Sequence, residues 1–259
     1  MNSMKNGGAL LKKLMGVSRM EGSAGVSLHG RVLNEIGQSI VRGEFLPGDQ
    51  LPNADDWSAA YGVSRTVLRE AIKVLAGKGM VESRPRTGTR VRQRRDWNFL
   101  DPDVLVWRYG SRTTIEEARS LFELRRAIEP TAGALAAQRA TETQIAELRL
   151  LLIEMEKAGD DGERFAIPDL AFHQAILRMS GNELIGSLAA LTETALVISF
   201  RLTDDNPEGQ RHSLPLHRNV VESIAARDPD ATSNALITLL DRAEEDVKSA
   251  LAARSARKG

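Results

Sequence analysis

The stretch from Leu51 to Val91, LPNADDWSAAYGVSRTVLREAIKVLAGKGMVESRPRTGTRV, constrains this chain more than any other. It orders a short helix, a glycine turn, a second helix bearing arginines and a basic hairpin. Trp57 and Tyr61 stand one turn apart on the first helix, predicted over Asp55 to Tyr61. Gly62 supplies the left-handed backbone that a tight interhelical turn needs. Ser64 is placed to cap a helix running to about Ala76. On that helix Leu68, Ile72 and Leu75 form one apolar stripe at helical spacing, while Arg65, Arg69 and Lys73 recur on another face. An apolar back with a basic front suits the DNA major groove, where arginine meets guanine edges and phosphates.

Three cations on one helix face are by themselves an ordinary solvated surface. The hairpin behind them changes the reading. Gly79 to Ser83 and Thr89 to Val91 read as two short strands around Arg84, Pro85, Arg86, Thr87 and Gly88, and Arg90 and Arg92 add to the charge. A wing this basic, directly after such a helix, points to nucleic acid.

On these residues, and on LHGRVLNEIGQSIVRGEFLPGDQLP before them, the chain resembles the DNA-binding domain of GntR-family bacterial transcription regulators. The resemblance implies a winged helix-turn-helix on double-stranded operator DNA, with Ser64, Arg65, Thr66, Arg69, Lys73, Arg84, Arg86, Thr87 and Gly88 at the DNA. Asp55 stands where the family usually carries an arginine, and Arg86 where it usually carries a glycine in the wing.

The remaining sequence bounds what this head is attached to. At 259 residues there is room for about two domains. Aromatics at 4% beside frequent Ala and Leu favour helix, and the absence of cysteine removes disulfides, thiolate metal sites and cysteine nucleophiles. No apolar run approaches ~20 residues, so no membrane-spanning helix is expected and the chain is read as cytoplasmic. The formal charge is zero overall but uneven: residues 28–95 hold 12 Lys and Arg against 7 Asp and Glu, while residues 96–259 hold 19 against 27. A basic front on an acidic rear suits a DNA-binding head on a body that does not touch DNA.

The expected organisation is an arm over residues 1–27, a head over 28–95, a connector over 96–112, a helical body over 113–253 and a tail over 254–259. The arm is basic and glycine-rich without a cleavage pattern, and Met20 is an alternative start. The connector carries Trp97 and Trp107, and such large apolar side chains predict docking rather than a free tether. The body reads as an all-α bundle of six or seven helices, making the chain mainly α. Its predicted helices cover Ile115–Arg139 with a kink or split at Pro130, then Thr143–Ala158, Phe165–Met179, Glu183–Thr203, His217–Ala226 and Asp230 to about Ala253.

Within this body Asp169 and His173 share a helix face at i and i+4, and His217 opens a later helix. A lone Asp/His pair is as well explained by a surface contact. Three such groups on bundle helices suit a divalent metal ion, Zn²⁺ or else Ni²⁺ or Mn²⁺. The segments FELRRAIEPTAGALAAQRA, DLAFHQAILRMSGNELI and HRNVVESIAARDPDATSNAL resemble the ligand-sensing (FCD) domain of the FadR-type subgroup. Many of its members hold a divalent ion with one aspartate and three histidines. The resemblance maps the first three ligands onto Asp169, His173 and His217 and the fourth near Leu239, which has no donor atom. His212, five residues before His217, is an alternative fourth ligand, and an effector is another.

The same resemblance implies that Arg125 meets an effector carboxylate and that Ser213 holds a ligand hydroxyl. The Leu121, Leu124, Ile128 stripe puts Arg125 at its margin, so both a cavity-facing and a solvent-facing placement fit the periodicity. The segments WNFLDPDVLVW and ELRRAIEP, with the missing fourth histidine, are similar to regulators of sugar-acid operons. The expected protein is a homodimeric repressor controlled by a small carboxylate such as an aldonate. Two rival readings are a metal-dependent hydrolase and a DNA-binding protein with a vestigial sensing domain.

Overall fold

The computed structural model describes residues 28–84, 87–109, 113–203 and 207–256. The expected arm lies outside them, as does Arg86. The chain divides into two compact units and passes from one to the other between residues 112 and 113.

The first unit contains α1 (Leu28–Val41), α2 (Ala54–Tyr61), α3 (Arg65–Gly77), the antiparallel pair β1 (Val81–Arg84) and β2 (Gly88–Val91), and α4 (Pro102–Tyr109). Local chemistry sets its joints. Asn53 caps α2 by accepting from the amides of Asp55 and Asp56, each at 2.9 Å. Gly62 ends α2 in the left-handed region at φ 63°. Ser64 then accepts from the Val67 amide and opens α3, a cap worth about 1 kcal/mol. The buried stripe of α3 is Leu68, Ala71 and Leu75, with Ile72 half-buried. The buried stripe therefore centres on Ala71, and Ile72 stands at its edge. Gly79, at φ 75°, leads into the wing where any Cβ would overlap the Asp96 carbonyl.

The expected connector contributes to this same core. Trp97, Val104 and Trp107 are buried with Val32, Ile36, Trp57, Leu68 and Met80. Trp107 lies over Gly37, where a Cβ would come within 2.6 Å of the indole, and its Nε1 donates to Asn34 Oδ1 at 2.9 Å. Lys78 reaches Asp101 at 2.7 Å and Asp103 at 2.8 Å. Burial would lower the Lys78 pKa, but its bonds to Asp101 and Asp103 outweigh that and raise it. The folded unit therefore runs past Arg95 through α4.

The second unit is helical throughout its described residues: α5 (Ile115–Arg139), α6 (Glu142–Ala158), α7 (Gly162–Met179), the single turn α8 (Glu183–Gly186), α9 (Ala189–Thr203), α10 (Pro207–Ala225) and α11 (Pro229–Ala256). Capping boxes at Thr114/Glu117 and Thr141/Gln144 start α5 and α6. Gly133 lets α5 and α11 touch, since a Cβ there would overlap Leu236.

Three expectations change. The helix α5 runs unbroken through Pro130, whose buried surroundings hold a turn lacking one hydrogen bond. The predicted helix Glu183–Thr203 is two pieces separated at Ser187 and Leu188. The α10 helix begins ten residues before His217, so that histidine lies inside a helix that also carries Pro215. The most apolar stretch, Glu183–Phe200 with mean hydropathy 1.5, spans that break and turns Leu191, Ala195, Leu196, Val197 and Ile198 into the core.

Candidate nucleic-acid interface and ligand cavity

On the head, α3 and the wing flank a cleft lined by Arg69, Ile72, Lys73, Ala76, Arg84 and Gly88, among others. Ser64, Arg65, Thr66, Arg69, Lys73, Arg84, Thr87 and Gly88 are all exposed. The apolar side of α3 packs on α1 and α2, so the cations have nowhere to point but outward. Two of them are held closely by neighbouring carboxylates, and Lys73 Nζ stands 4.0 Å from Glu70 Oε2. Arg65 Nε lies 2.5 Å from Asp55 Oδ1, and Arg84 Nη2 lies 3.1 Å from Glu82 Oε2. Asp55 thus grips the first arginine of α3. In so exposed a pair the attraction itself is weak, and its effect is on where the guanidinium sits.

In the body, polar groups occur where the bundle is otherwise apolar. Arg125, Glu129, Asp169, His173 and His217 are each 3% exposed or less. Asp169 and His173 come from α7, Arg125 and Glu129 from α5, and His217 from α10. One donor atom from each of Asp169, His173 and His217 falls within 4.8 Å of the others. His212 is exposed and stands apart from this group.

Hydrogen bonds fix both imidazoles in the same tautomer. His173 Nδ1 donates to Glu129 Oε2 at 2.7 Å, and His217 Nδ1 donates to the Ser213 carbonyl at 2.9 Å. With Nδ1 protonated, each Nε2 keeps its lone pair, and both Nε2 atoms face Asp169 Oδ1, at 3.9 Å and 2.7 Å. The shorter contact lacks hydrogen-bond geometry, and His217 Nε2 is buried without a partner in the protein. Two imidazole nitrogens and a carboxylate oxygen within 4.8 Å of one another are the donor set of a divalent-metal site, and carboxylate or carbonyl support behind each imidazole is its usual outer layer. The residues fit the ion.

Glu129 anchors this arrangement, and sequence reasoning missed it. It accepts from Arg125 Nε at 2.6 Å as well as from His173. Burial alone would raise its pKa, but Arg125 and His173 hold it down at about 2. Asp169 behaves likewise: burial opposes its charge, and His217 foremost lowers its pKa. The signal for Glu129 was present as an i, i+4 partner of Arg125, a pattern that also describes any surface ion pair.

A cavity of about 80 Å³ opens beside the cluster, lined by Arg125, Asp169, His173, Ser213 and His217 together with Leu239 and residues of α9 and α11. That is room for several waters or one small acid. Arg125 is therefore cavity-facing, and its Nη1 is buried without a partner in the protein. Ser213 lines the same space and is tied to it through its carbonyl. Leu239, where the resemblance maps the fourth ligand, closes one wall with apolar surface.

Comparison with known proteins agrees with this layout. Residues 28–91 match "Bacterial regulatory proteins, gntR family", and residues 120–242 match the FCD domain. The uncharacterised HTH-type transcriptional regulator YieP of Escherichia coli is 35% identical over 87% of this chain and 98% of its own length. The galactonate operon transcriptional repressor of Escherichia coli is 28% identical, covering 81% and 92%. The repressor NanR of Citrobacter rodentium is 30% identical, covering 81% of each. A solved structure of Lar, which controls the expression of the Listeria monocytogenes agr system, overlays with a TM-score of 0.62 at 17% identity. It covers 86% of this chain and 97% of that one, and it bears on the fold alone.

Proposed function

Because the chain belongs to the GntR family of bacterial transcription regulators with an FCD domain as its body, we propose that it is a cytoplasmic repressor released from its operator by a small carboxylate. It is a DNA-binding transcription regulator and not an enzyme. A homodimer would set two α3 helices in successive major grooves of a palindromic operator, with Ser64, Arg65, Thr66, Arg69, Lys73, Arg84, Arg86, Thr87 and Gly88 at the DNA. The effector class is a sugar acid, as the galactonate repressor among its relatives suggests.

The observation that carries the ligand reading is the unpartnered Nη1 of Arg125 in the cavity that holds Asp169, His173 and His217. A guanidinium nitrogen left without an acceptor in a buried site costs about 1–3 kcal/mol or more, and a carboxylate removes that cost. Asp169, His173 and His217 would hold Zn²⁺, with Ni²⁺ or Mn²⁺ as alternatives; the ion supplies Lewis acidity for an effector oxygen. With three protein donors, coordination positions stay available to that oxygen. Glu129 orients His173 and Arg125, the Ser213 carbonyl orients His217, and Leu239 keeps one wall dry.

Metal analysis and thermal shift test this reading. Full-length protein is expected to carry about one divalent ion per chain and to gain stability with sugar acids. Equal melting with and without every acid, at any concentration, would leave the vestigial-domain reading standing instead.

A further inference from the structure

The cavity has a second polar end that the carboxylate reading does not use. Arg242 and Asp246 line it from α11, three and seven residues past Leu239, or about 4.5 and 10.5 Å along the helix axis. They pair with each other, Arg242 Nη2 to Asp246 Oδ1 at 3.0 Å. The pairing leaves Arg242 Nε buried and without a partner in the protein, although the side chain as a whole is 39% exposed. Across the same cavity, Ser199 donates to the Ala195 carbonyl and Thr203 to the Ser199 carbonyl, each at 2.9 Å. Both hydroxyl protons are thus committed to the helix, and the oxygens remain as acceptors.

We infer that the Arg242–Asp246 pair reads the hydroxyl groups of the effector's tail, selecting polyhydroxy monocarboxylates over unhydroxylated acids and over dicarboxylates. The inference rests on the carboxylate-effector reading above. A hydroxyl both gives and takes a hydrogen bond, and this end of the cavity offers both. Arg242 Nε donates, while Asp246, Ser199 and Thr203 accept. An alkyl chain would leave Arg242 Nε unmatched and the acceptor oxygens unused, which is how a site built for hydroxyls rejects a deoxygenated analogue.

Charge argues against a second carboxylate. Arg125 and Arg242 are opposed by Glu129, Asp169 and Asp246, so the residues sum to one negative charge, and a divalent ion makes that one positive. One carboxylate balances the site. Two would leave a buried negative charge in excess, next to Asp246.

The test uses metal-loaded full-length protein and titration calorimetry with three six-carbon probes: gluconate, hexanoate and glucarate. Wild type is expected to bind gluconate best. Arg242→Met and Asp246→Asn should each weaken gluconate about tenfold and leave hexanoate unchanged, whereas Arg125→Ala should weaken both acids. Asp246→Asn changes no volume, so it reports even if Arg242→Met disturbs α11. Gluconate and hexanoate binding equally to wild type, or a gluconate-to-hexanoate ratio unmoved by both variants, would overturn the inference while sparing the carboxylate reading. Tighter binding of glucarate than gluconate would overturn the charge argument and the selectivity with it. Failure of all three acids to bind wild type would overturn both readings together.

Discussion

The head and the body carry opposite kinds of charge chemistry. In the head, Arg65, Arg69, Lys73 and Arg84 are displayed on the outside of an apolar scaffold, where only water and exposed carboxylates meet them. In the body, Arg125, Glu129, Asp169, His173 and His217 sit inside the bundle at 3% exposure or less. Exposed cations add little to stability and are free to be spent on a partner. Buried ones hold the fold hostage, because removing one leaves another uncompensated. The head can therefore change its DNA contacts without changing its fold, whereas anything that occupies the body's cavity acts on the body's stability directly. That asymmetry is what a ligand-controlled DNA-binding protein requires.

Substitutions can break this contrast. The largest effect belongs to Asp169→Ala with His173→Ala, which removes two of the three donors; bound metal should fall from about one ion per chain to near zero, and wild-type metal content would reject the site. Next is Glu129→Ala, which strips Arg125 and His173 of their shared carboxylate. It should cost about 3–5 kcal/mol in chemical denaturation of the body, and a loss below about 1 kcal/mol would mean that Arg125 and His173 do not depend on that carboxylate. On the head, Arg65→Ala or Arg69→Ala should weaken operator binding by about 1–3 kcal/mol at fixed salt with unchanged melting. Unchanged affinity would remove α3 from the DNA. The smallest effect is expected from Asp55→Ala. Stability should move by less than about 1 kcal/mol, but discrimination between operator and random DNA should fall, since Arg65 loses the group that aims it. An unaltered specificity ratio would make the pair incidental.

The same contrast explains what was legible in the sequence. The head's joints are local events. Gly62, Ser64 and the Gly79 turn each satisfy a backbone requirement within a few residues, so the helix-turn-helix and wing could be read directly. The connector's tryptophans announced that they dock but not where, because Gly37, the surface that Trp107 covers, lies 70 residues earlier. In the body, Asp169, His173 and His217 were found as residue types of the right chemistry on helices. Arg125 was left at the margin because Leu121, Leu124 and Ile128 define an apolar face whose centre is rotated from the buried one. Apolar periodicity assumes that the core excludes charge, and here the core contains an Arg–Glu pair. Glu129 went unread for that reason, whereas Arg242 and Asp246, at i and i+4, have the spacing of any surface ion pair. The start of α10 was placed late because Pro215 and the breaks before it mimic a helix boundary.

Coupling between the two regions is the central claim, and it is measured most directly by fluorescence anisotropy of operator DNA bound to the metal-loaded full-length protein. Addition of a sugar acid that binds the body should release the DNA. A coupling of about 1–3 kcal/mol corresponds to a roughly 5–150-fold loss of affinity. Arg125→Ala should hold the DNA at every acid concentration. Saturating acid that leaves wild-type DNA affinity unchanged, with binding to the body verified in the same sample, would contradict the account.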